Sequence, residues 1–293
     1  MEGIILRGIG GFYTVMAHED GALHTLRAQG KLRRQKMTPF VGDEVRFTPQ
    51  MGEEHGWIEQ ILPRRNVLIR PPVANIEMVV LVVSVSEPQP DLLLIDRLIL
   101  SAMVHGIDVV VALNKHDLDP QAAEAIAAQY RGVVQAALSV SVRTGEGIGE
   151  LREIVRGKTH AFGGQSGVGK SSLINALYGL DLKTGVVSEK ILRGKHTTRH
   201  CELIKVSNGG MVLDTPGFSL LELPLCDPIV MGEQYPEFPA FSGDCRFAPC
   251  AHRNEPGCAV RAAVAEGKIS AGRYERYCVL FDEMQTRWRE RYD

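Results

Sequence analysis

The chain has 293 residues, of which 44% are hydrophobic and 23% charged, and a net charge of −2. This length allows two or three domains, and the composition excludes a disordered chain and a wholly basic nucleic-acid binder. No apolar run reaches the roughly 18 residues of a membrane span, and the first residues lack the features of a secretory signal. We therefore expect a cytoplasmic protein without membrane association.

Short alternating apolar and polar segments, interrupted by Gly and Pro, extend from residue 1 to about residue 70. This pattern predicts an all-β barrel of about five strands. Five cations fall within ten residues of this region: Arg27, Lys31, Arg33, Arg34 and Lys36. They fit contact with an RNA backbone on the open face of a barrel, and they fit a solvated loop equally well.

From residue 76 the pattern changes to long apolar runs separated by helical stretches, typical of buried parallel strands in an α/β fold. Helices are predicted near 91–105, 120–131 and 147–157 and from Lys170 onward. The last strands are predicted to end at Gly163 and to lie near 201–206 and 211–214.

The region after Pro224 is rich in Pro and Cys, and it is predicted to end in one or two polar helices. The chain therefore divides into three predicted domains: a barrel at 1–70, an α/β domain at 71–224 and a C-terminal domain at 225–293.

Residues 164–171, GQSGVGKS, match the phosphate-loop pattern G-x-x-x-x-G-K-[ST] between a predicted strand and a predicted helix. Lys170 is predicted to reach the terminal phosphates, and the Ser171 hydroxyl to ligate Mg²⁺. The structural alternative is a Gly-rich turn that caps a helix. The residues predicted to hold the nucleotide here are Gly164, Gln165, Ser166, Gly167, Val168, Gly169, Lys170, Ser171 and Ser172.

The segment DTPG at 214–217 follows a short apolar strand about forty residues after the phosphate loop. Asp214 is predicted to hold Mg²⁺ through water, and the Gly217 N–H to meet the terminal phosphate. Alone the segment could be an ordinary turn, but its pairing with a phosphate loop favours the nucleotide-binding interpretation.

The segment NKHD at 114–117 ends a predicted strand. The Asp117 carboxylate can accept hydrogen bonds from guanine N1–H and N2–H₂, which adenine does not offer, so the motif favours GTP over ATP. Asn114 and Lys115 are predicted to brace the loop and cover the base. The loop SVRTGEG at 141–147 resembles the segment whose backbone contacts the guanine oxygen, which predicts contacts from Ser141 and Val142.

The base-reading loops precede the phosphate loop, whereas ordinary GTPases have the reverse order. This order predicts a circularly permuted GTPase domain, which is physically allowed because domain termini often lie close together. The chain then leaves the domain directly after DTPG, so the nucleotide-sensing segment leads straight into the C-terminal domain.

Three cysteines and one histidine within fourteen residues form the pattern C-x₄-C-x-H-x₅-C: Cys245, Cys250, His252 and Cys258. Three thiolates and an imidazole complete a tetrahedral shell, which predicts a structural zinc rather than a catalytic one. The alternative is free cysteines beside a chance histidine.

These motifs in this order, together with GKHTTR at 194–199, resemble the bacterial ribosome small-subunit-dependent GTPase A family (RsgA, also called YjeQ or YloQ) over essentially the whole chain. The resemblance implies an N-terminal OB-fold and GTP hydrolysis stimulated by the small ribosomal subunit. It also implies a role in late maturation of that subunit through its rRNA, with release on hydrolysis. We expect a monomer. The alternatives are an RNA-binding scaffold with negligible hydrolysis and an ATP-using enzyme, which NKHD argues against.

Many switch GTPases place a Gln just after the glycine of their DxxG segment, whereas this chain has Phe218. Because an apolar side chain cannot orient water, another group is needed. His196 is predicted to position the water, as the resemblance also implies. One threonine is predicted to complete the Mg²⁺ shell; Thr198 is favoured, and Thr197 is the alternative. The alternative for His196 is a surface histidine. The predicted catalytic residues are His196, Lys170 and Thr198.

Overall fold

The computed structural model describes residues 1–49, 55–69, 71–180, 201–214 and 223–292. The N-terminal region is a barrel of five strands, as predicted: β1 Glu2–Ile9, β2 Phe12–Ala17, β3 Leu23–Ala28, β4 Glu44–Thr48 and β5 Gly56–Ile61. The pairing runs β1-β2-β3-β5-β4 and returns from β4 to β1, so the barrel is closed. The short helix α1, Gly30–Arg34, contributes Leu32 to a core that includes Ile5, Leu26 and Phe47.

The central region is a sheet in the order β10-β9-β8-β11-β13-β12, with all neighbours parallel except β12. Its strands are β8 Met78–Ser84, β9 Asp108–Asn114, β10 Ala136–Ser139, β11 Thr159–Gly163, β12 Glu202–Lys205 and β13 Met211–Asp214. All seven residues of β8 are buried, because helices cover both faces of the sheet.

Helices α2 Leu92–Val104 and α3 Pro120–Tyr130 pack on one face of the sheet against Val79, Leu81 and Val83. Helices α4 Ile148–Ile154 and α5 Lys170–Tyr178 pack on the other face, against the alternate residues of the same strand. The two clusters follow the two-residue period of β8. Each helix therefore lies where the sequence predicted one.

The barrel and the central sheet are continuous, which the sequence did not predict. Strand β12 pairs with β1 at Glu202 and Arg7, so the two regions form one sheet of eleven strands. A hairpin of β6 Val67–Leu68 and β7 Val73–Ala74 supports this junction, since the Ala74 N–H donates to the Val41 carbonyl at 2.8 Å. This hairpin spans the predicted domain boundary, and the boundaries at 70 and 224 stay predictions.

The described C-terminal region contains four α-helices: α6 Pro228–Glu233, α7 Pro239–Ser242, α8 Ala259–Ala265 and α9 Ala271–Arg289. Helices α8 and α9 agree with the one or two helices predicted at its end, whereas α6 and α7 were not predicted. Helices α6 and α7 are too short to give a clear helical period in the sequence. Helix α9 is amphipathic rather than wholly polar, because Tyr277, Leu280, Phe281 and Met284 form a buried stripe along it. No described helix is long and apolar enough to cross a membrane.

A buried ionic cluster joins α9 to α2. Arg273, which is 1% exposed, donates from Nη1 to Asp96 Oδ1 at 2.7 Å and from Nε to Glu237 Oε1 at 2.6 Å. Arg276 Nε donates to the other oxygen of Asp96 at 2.5 Å. Because every charge in the cluster has a hydrogen-bonded counter-charge, the burial is tolerated, and removal of one partner would leave an unpaired charge.

We expect Arg273→Ala to lower the free energy of unfolding by about 3 kcal/mol, because Glu237 loses its cation and Asp96 keeps only Arg276. Urea unfolding followed by circular dichroism measures the change. Arg261→Ala, an exposed position on α8, is the control and should stay within about 0.5 kcal/mol of the native protein. Equal losses in the two variants would contradict this account.

Candidate functional site

Three of the predicted nucleotide loops follow parallel strands of one sheet. Strand β9 ends at Asn114, β10 at Ser139 and β11 at Gly163, and parallel pairing links all three through β8. Because the carboxyl ends of parallel strands share one edge of a sheet, the loops NKHD, SVRTGEG and GQSGVGKS meet there. The order of the loops along the chain does not affect their proximity at this edge.

The phosphate loop has the backbone that its glycines predict. Gly164, Gly167 and Gly169 have φ values of +127°, +82° and +95°, in the region that favours glycine. A Cβ at Gly164 would lie 2.2 Å from the Val82 carbonyl oxygen. Helix α5 begins after Gly169 without a side-chain cap, so the N–H groups of its first turn remain for an anion. The loop fits a phosphate group.

Lys170 lies over the phosphate loop. Its ammonium donates to the carbonyl oxygens of Gly164 at 2.9 Å and Gln165 at 2.5 Å. Burial lowers the pKa of this ammonium, and a bound phosphate would offset that effect. Ser171 and Ser172 follow as half-buried residues in the first turn of α5.

The remaining residues of the phosphate loop differ in exposure. Ser166 is exposed and Val168 is buried. The Gln165 side chain accepts a hydrogen bond from the Asp91 N–H at 3.1 Å, and Asp91 caps the N-terminus of α2. The loop is therefore fastened to a helix on the opposite face of the sheet from α5.

The NKHD loop is bonded to the phosphate loop. The Asn114 amide, 2% exposed, donates from Nδ2 to the Val168 carbonyl at 2.8 Å. Lys115 has a φ of +62°, and its ammonium donates to the carbonyls of Glu87 and, at 3.4 Å, Gly167. Asn114 Oδ1 is buried without a partner among the described residues, and a ligand donor could satisfy it.

Asp117 is held as an ionised acceptor. Ser141 Oγ donates to Asp117 Oδ1 at 2.6 Å, and Arg143 contacts Oδ2 with Nε at 2.9 Å and Nη2 at 2.6 Å. The Ser141 hydrogen bond, aided by Arg143 and opposed by partial burial, holds the pKa of Asp117 below its usual value. Val142 follows Ser141 as a half-buried residue. Arg143 is not among the predicted site residues, although its position two residues after Ser141 is visible in the sequence.

The four predicted metal ligands form a compact cluster, with all their ligand atoms within 4.8 Å of one another. Cys245 Sγ lies 4.0 Å from Cys258 Sγ and 3.6 Å from His252 Nδ1, and Nδ1 lies 3.4 Å from Cys258 Sγ. In a tetrahedron with zinc bonds of about 2.3 Å to sulfur and 2.0 Å to nitrogen, these separations would be about 3.8 and 3.5 Å. The donor set and spacing therefore fit a tetrahedral metal ion.

The backbone around this cluster is fixed by hydrogen bonds. The hydroxyls of Tyr274 and Tyr277, both on α9, donate to the carbonyls of His252 at 2.8 Å and Ala251 at 2.6 Å. Burial raises the pKa of the Cys250 and Cys258 thiols, which a divalent cation would reverse by stabilising the thiolates. Helix α9 thus positions the loop that carries the four predicted metal ligands.

Several predicted residues lie outside the described part of the chain: His196, Thr198, Gly217 and Phe218. Asp214 ends β13 opposite Glu202, and its side chain also lies outside the described part. The roles assigned to these residues stay predictions.

A phosphate loop bonded to a guanine-type loop, on a parallel sheet in which the base loops come first, defines a circularly permuted P-loop GTPase. The profile described as "RsgA GTPase" matches residues 61–224, and that described as "RsgA N-terminal domain" matches residues 2–58. The chain belongs to the RsgA GTPase family. It is accordingly a GTPase that binds GTP, GDP and Mg²⁺.

Relatives and solved structures agree with this assignment. A "small ribosomal subunit biogenesis GTPase RsgA" of Moorella thermoacetica is 45% identical over 99% of both chains, and that of Agathobacter rectalis is 41% identical over 98% of this chain and 99% of the relative. The crystal structure of YjeQ from Thermotoga maritima is 36% identical, with a TM-score of 0.85 over 97% of this chain and 98% of that one. The structure of "YloQ, a circularly permuted GTPase" is 33% identical, with a TM-score of 0.80 over 98% of this chain and 95% of that one.

We expect Gly169→Ala to weaken GDP binding about tenfold or more. The new Cβ would lie 2.4 Å from Asn114 Nδ2 at a φ of +95°, so it would displace the amide that joins the two loops. Gly179→Ala, at a φ of +67° beyond the other end of α5, meets no atom within 4 Å and should keep the native affinity. Titration with fluorescent GDP compares them, and native affinity in the Gly169 variant would contradict the prediction.

Proposed function

We propose that this protein is a GTP-hydrolysing assembly factor for late maturation of the small ribosomal subunit. It acts in the cytoplasm as a monomer, binds the rRNA of the subunit and is released on hydrolysis. The observation that carries the proposal is the bonded pair of base and phosphate loops, in a chain that matches relatives named for small-subunit biogenesis over nearly its whole length.

The phosphate loop would act by positioning and by charge. Backbone N–H groups of 164–172 hold the phosphates, while Lys170 exchanges the carbonyls of Gly164 and Gln165 for phosphate oxygens. Ser171, Thr198 and Asp214 would hold Mg²⁺, which would neutralise charge that develops on the phosphates. His196 would orient the attacking water.

The barrel would supply the rRNA contact. Lys31, Arg34 and Lys36 are exposed and form no ion pair within the described ranges. Beside them opens a cavity of about 480 Å³ whose lining includes Arg27 and Trp57. Cations beside aromatic side chains suit the backbone and bases of single-stranded RNA, which supports assigning the predicted cationic cluster to this contact.

The C-terminal cluster would hold one structural zinc ion through Cys245, Cys250, His252 and Cys258. All four tetrahedral positions are then filled by protein, so the ion would stabilise the fold and would leave no site for a substrate. This region has few regular elements of its own around the ligands, so the ion would fix the loop against α9.

A scaffold that binds nucleotide with negligible hydrolysis is the alternative. Phosphate release with and without small ribosomal subunits separates the two, because a switch GTPase can be slow alone and fast on its partner. Stimulation by the small subunit, and none by the large subunit, is the expected result. Equal release in all three conditions would favour the scaffold.

We expect neutralisation of Lys31, Arg34 and Lys36 to Gln to weaken small-subunit binding. The plot of log affinity against log salt has a negative slope, and its magnitude should decrease by about two, since each lost phosphate contact removes about 0.7 to 0.9. Arg131→Gln, Arg156→Gln and Lys268→Gln, which remove the same charge from exposed ion pairs elsewhere, form the control. Indistinguishable slopes for the two triple variants would remove the barrel from the interface.

We expect about one zinc ion per native chain and its loss in Cys250→Ser. The C-terminal region should then become sensitive to protease, while GDP affinity stays near native because the nucleotide loops lie on a different part of the structure. Cys226→Ser, a thiol of the same region outside the cluster, should keep its zinc. Elemental analysis checks the metal, and native protein without zinc would contradict the proposal.

A further inference from the structure

Arg143 and guanine would need the same oxygen of Asp117. A guanine that is read by a carboxylate donates N1–H and N2–H₂ to its two oxygens. Asp117 Oδ1 already accepts from Ser141 and keeps capacity for one further donor. Asp117 Oδ2 accepts a hydrogen bond from Arg143 Nε at 2.9 Å and lies 2.6 Å from Arg143 Nη2 in an ion pair, so the guanidinium occupies the approach to this oxygen. A base donor on Oδ2 would therefore have to replace Arg143.

The chemistry of the two donors is alike. The N1–C2–N2 unit of guanine is part of a guanidine, and the guanidinium of Arg143 presents the same planar pair of N–H groups through Nε and Nη2. Arg143 also carries a full positive charge, which attracts the carboxylate more strongly than a neutral base edge does. The side chain thus places a similar pair of N–H groups on one of the two oxygens that guanine would use.

The side chain can leave without disturbing the loop. Arg143 is 72% exposed, and Asp117 is its sole hydrogen-bonded or ion-paired partner in the described part of the chain. The loop backbone is held independently, since Ser141 N–H donates to Glu146 at 3.0 Å and Gly145 N–H donates to Ser141 at 2.9 Å. Displacement of Arg143 would leave the backbone N–H groups of 141–147 in place.

We propose that Arg143 is an affinity-determining residue that competes with guanine for Asp117 and slows nucleotide entry. This inference rests on the proposed base-reading role of Asp117. The contact exists before guanine binds and is lost when it binds, so its removal should raise the association rate and leave the dissociation rate unchanged. Because the pair is exposed, the effect should be about two- to fivefold and should shrink as salt screens the charges.

Stopped-flow binding of fluorescently labelled GDP to the full chain tests this proposal. The variant is Arg143→Met, which keeps the aliphatic stem of the side chain and removes the guanidinium group. Arg131→Met is the control, because Arg131 is another exposed arginine paired with one carboxylate, Glu124, at 2.6 Å. The expected result is a two- to fivefold faster association for Arg143→Met at about 50 mM salt and a smaller gain at about 500 mM. The dissociation rate, and both rates of the control, should match the native protein.

Two outcomes would overturn the proposal. An unchanged association rate would show that the contact does not compete with the base. A faster dissociation would show that Arg143 holds the bound nucleotide instead.

A variant of Asp117 separates failure of this proposal from failure of the base assignment. In an Asp117→Asn background, measured with labelled XDP, Arg143→Met should have no effect on association, because the ion pair is gone. If Arg143→Met still increased the association rate in this background, Arg143 would not act by competing for Asp117, and the proposal would be wrong. If Asp117→Asn itself still prefers GDP over XDP, Asp117 does not read the base and the proposal fails at that earlier step.

Discussion

A buried hydrogen bond joins the two loops at the candidate nucleotide site: the Asn114 amide donates to the Val168 carbonyl, 54 residues away, at 2.8 Å. It fastens the predicted base-reading loop to the predicted phosphate loop. Both groups are buried, so loss of the bond would leave a carbonyl unsatisfied as well as a contact missing. The bond requires β9 and β11 to end at the same edge of the sheet. Their parallel pairing with β8 satisfies this requirement.

This constraint explains why the permuted chain order is tolerated. The edge of the sheet is defined by strand direction and register, and neither depends on which loop comes first. Permutation changes where the flanking regions are attached to the GTPase domain. The barrel joins the edge strand β12 through β1, and the C-terminal region joins α2 through Asp96 and Arg273. Helix α2 in turn begins at Asp91, whose N–H bonds the phosphate-loop residue Gln165. The C-terminal region is therefore attached to the same helix whose N-terminus bonds the phosphate loop.

Local signals in the sequence predicted much of the fold. The barrel, the helix from Lys170 and the strand ending at Gly163 could be predicted because alternation, apolar runs and glycine-rich turns are properties of neighbouring residues. The compact spacing of Cys245, Cys250, His252 and Cys258 likewise indicated a cluster that the structure brings together. Such patterns need no knowledge of distant contacts.

The features that could not be predicted depend on distant pairs. Arg273 and Asp96 are 177 residues apart, and nothing near either residue indicates a buried ion pair. The pairing of β1 with β12 joins two regions that each appear complete in sequence. Arg143 could be seen beside Ser141, but its contact with Asp117 requires the two loops to be adjacent in space. His196 and Thr198 lie outside the described part of the chain, so their roles stay predictions.

We expect Asp117 to select guanine at the site formed by the joined loops. Asp117→Asn replaces one acceptor oxygen by a donor, which should disfavour guanine and favour xanthine, whose C2 carries an oxygen in place of the amino group. The most direct test compares the affinities of native and variant protein for GDP and XDP. We expect the preference to reverse, with XDP the tighter ligand of the variant. A variant that still binds GDP more tightly than XDP would contradict this expectation.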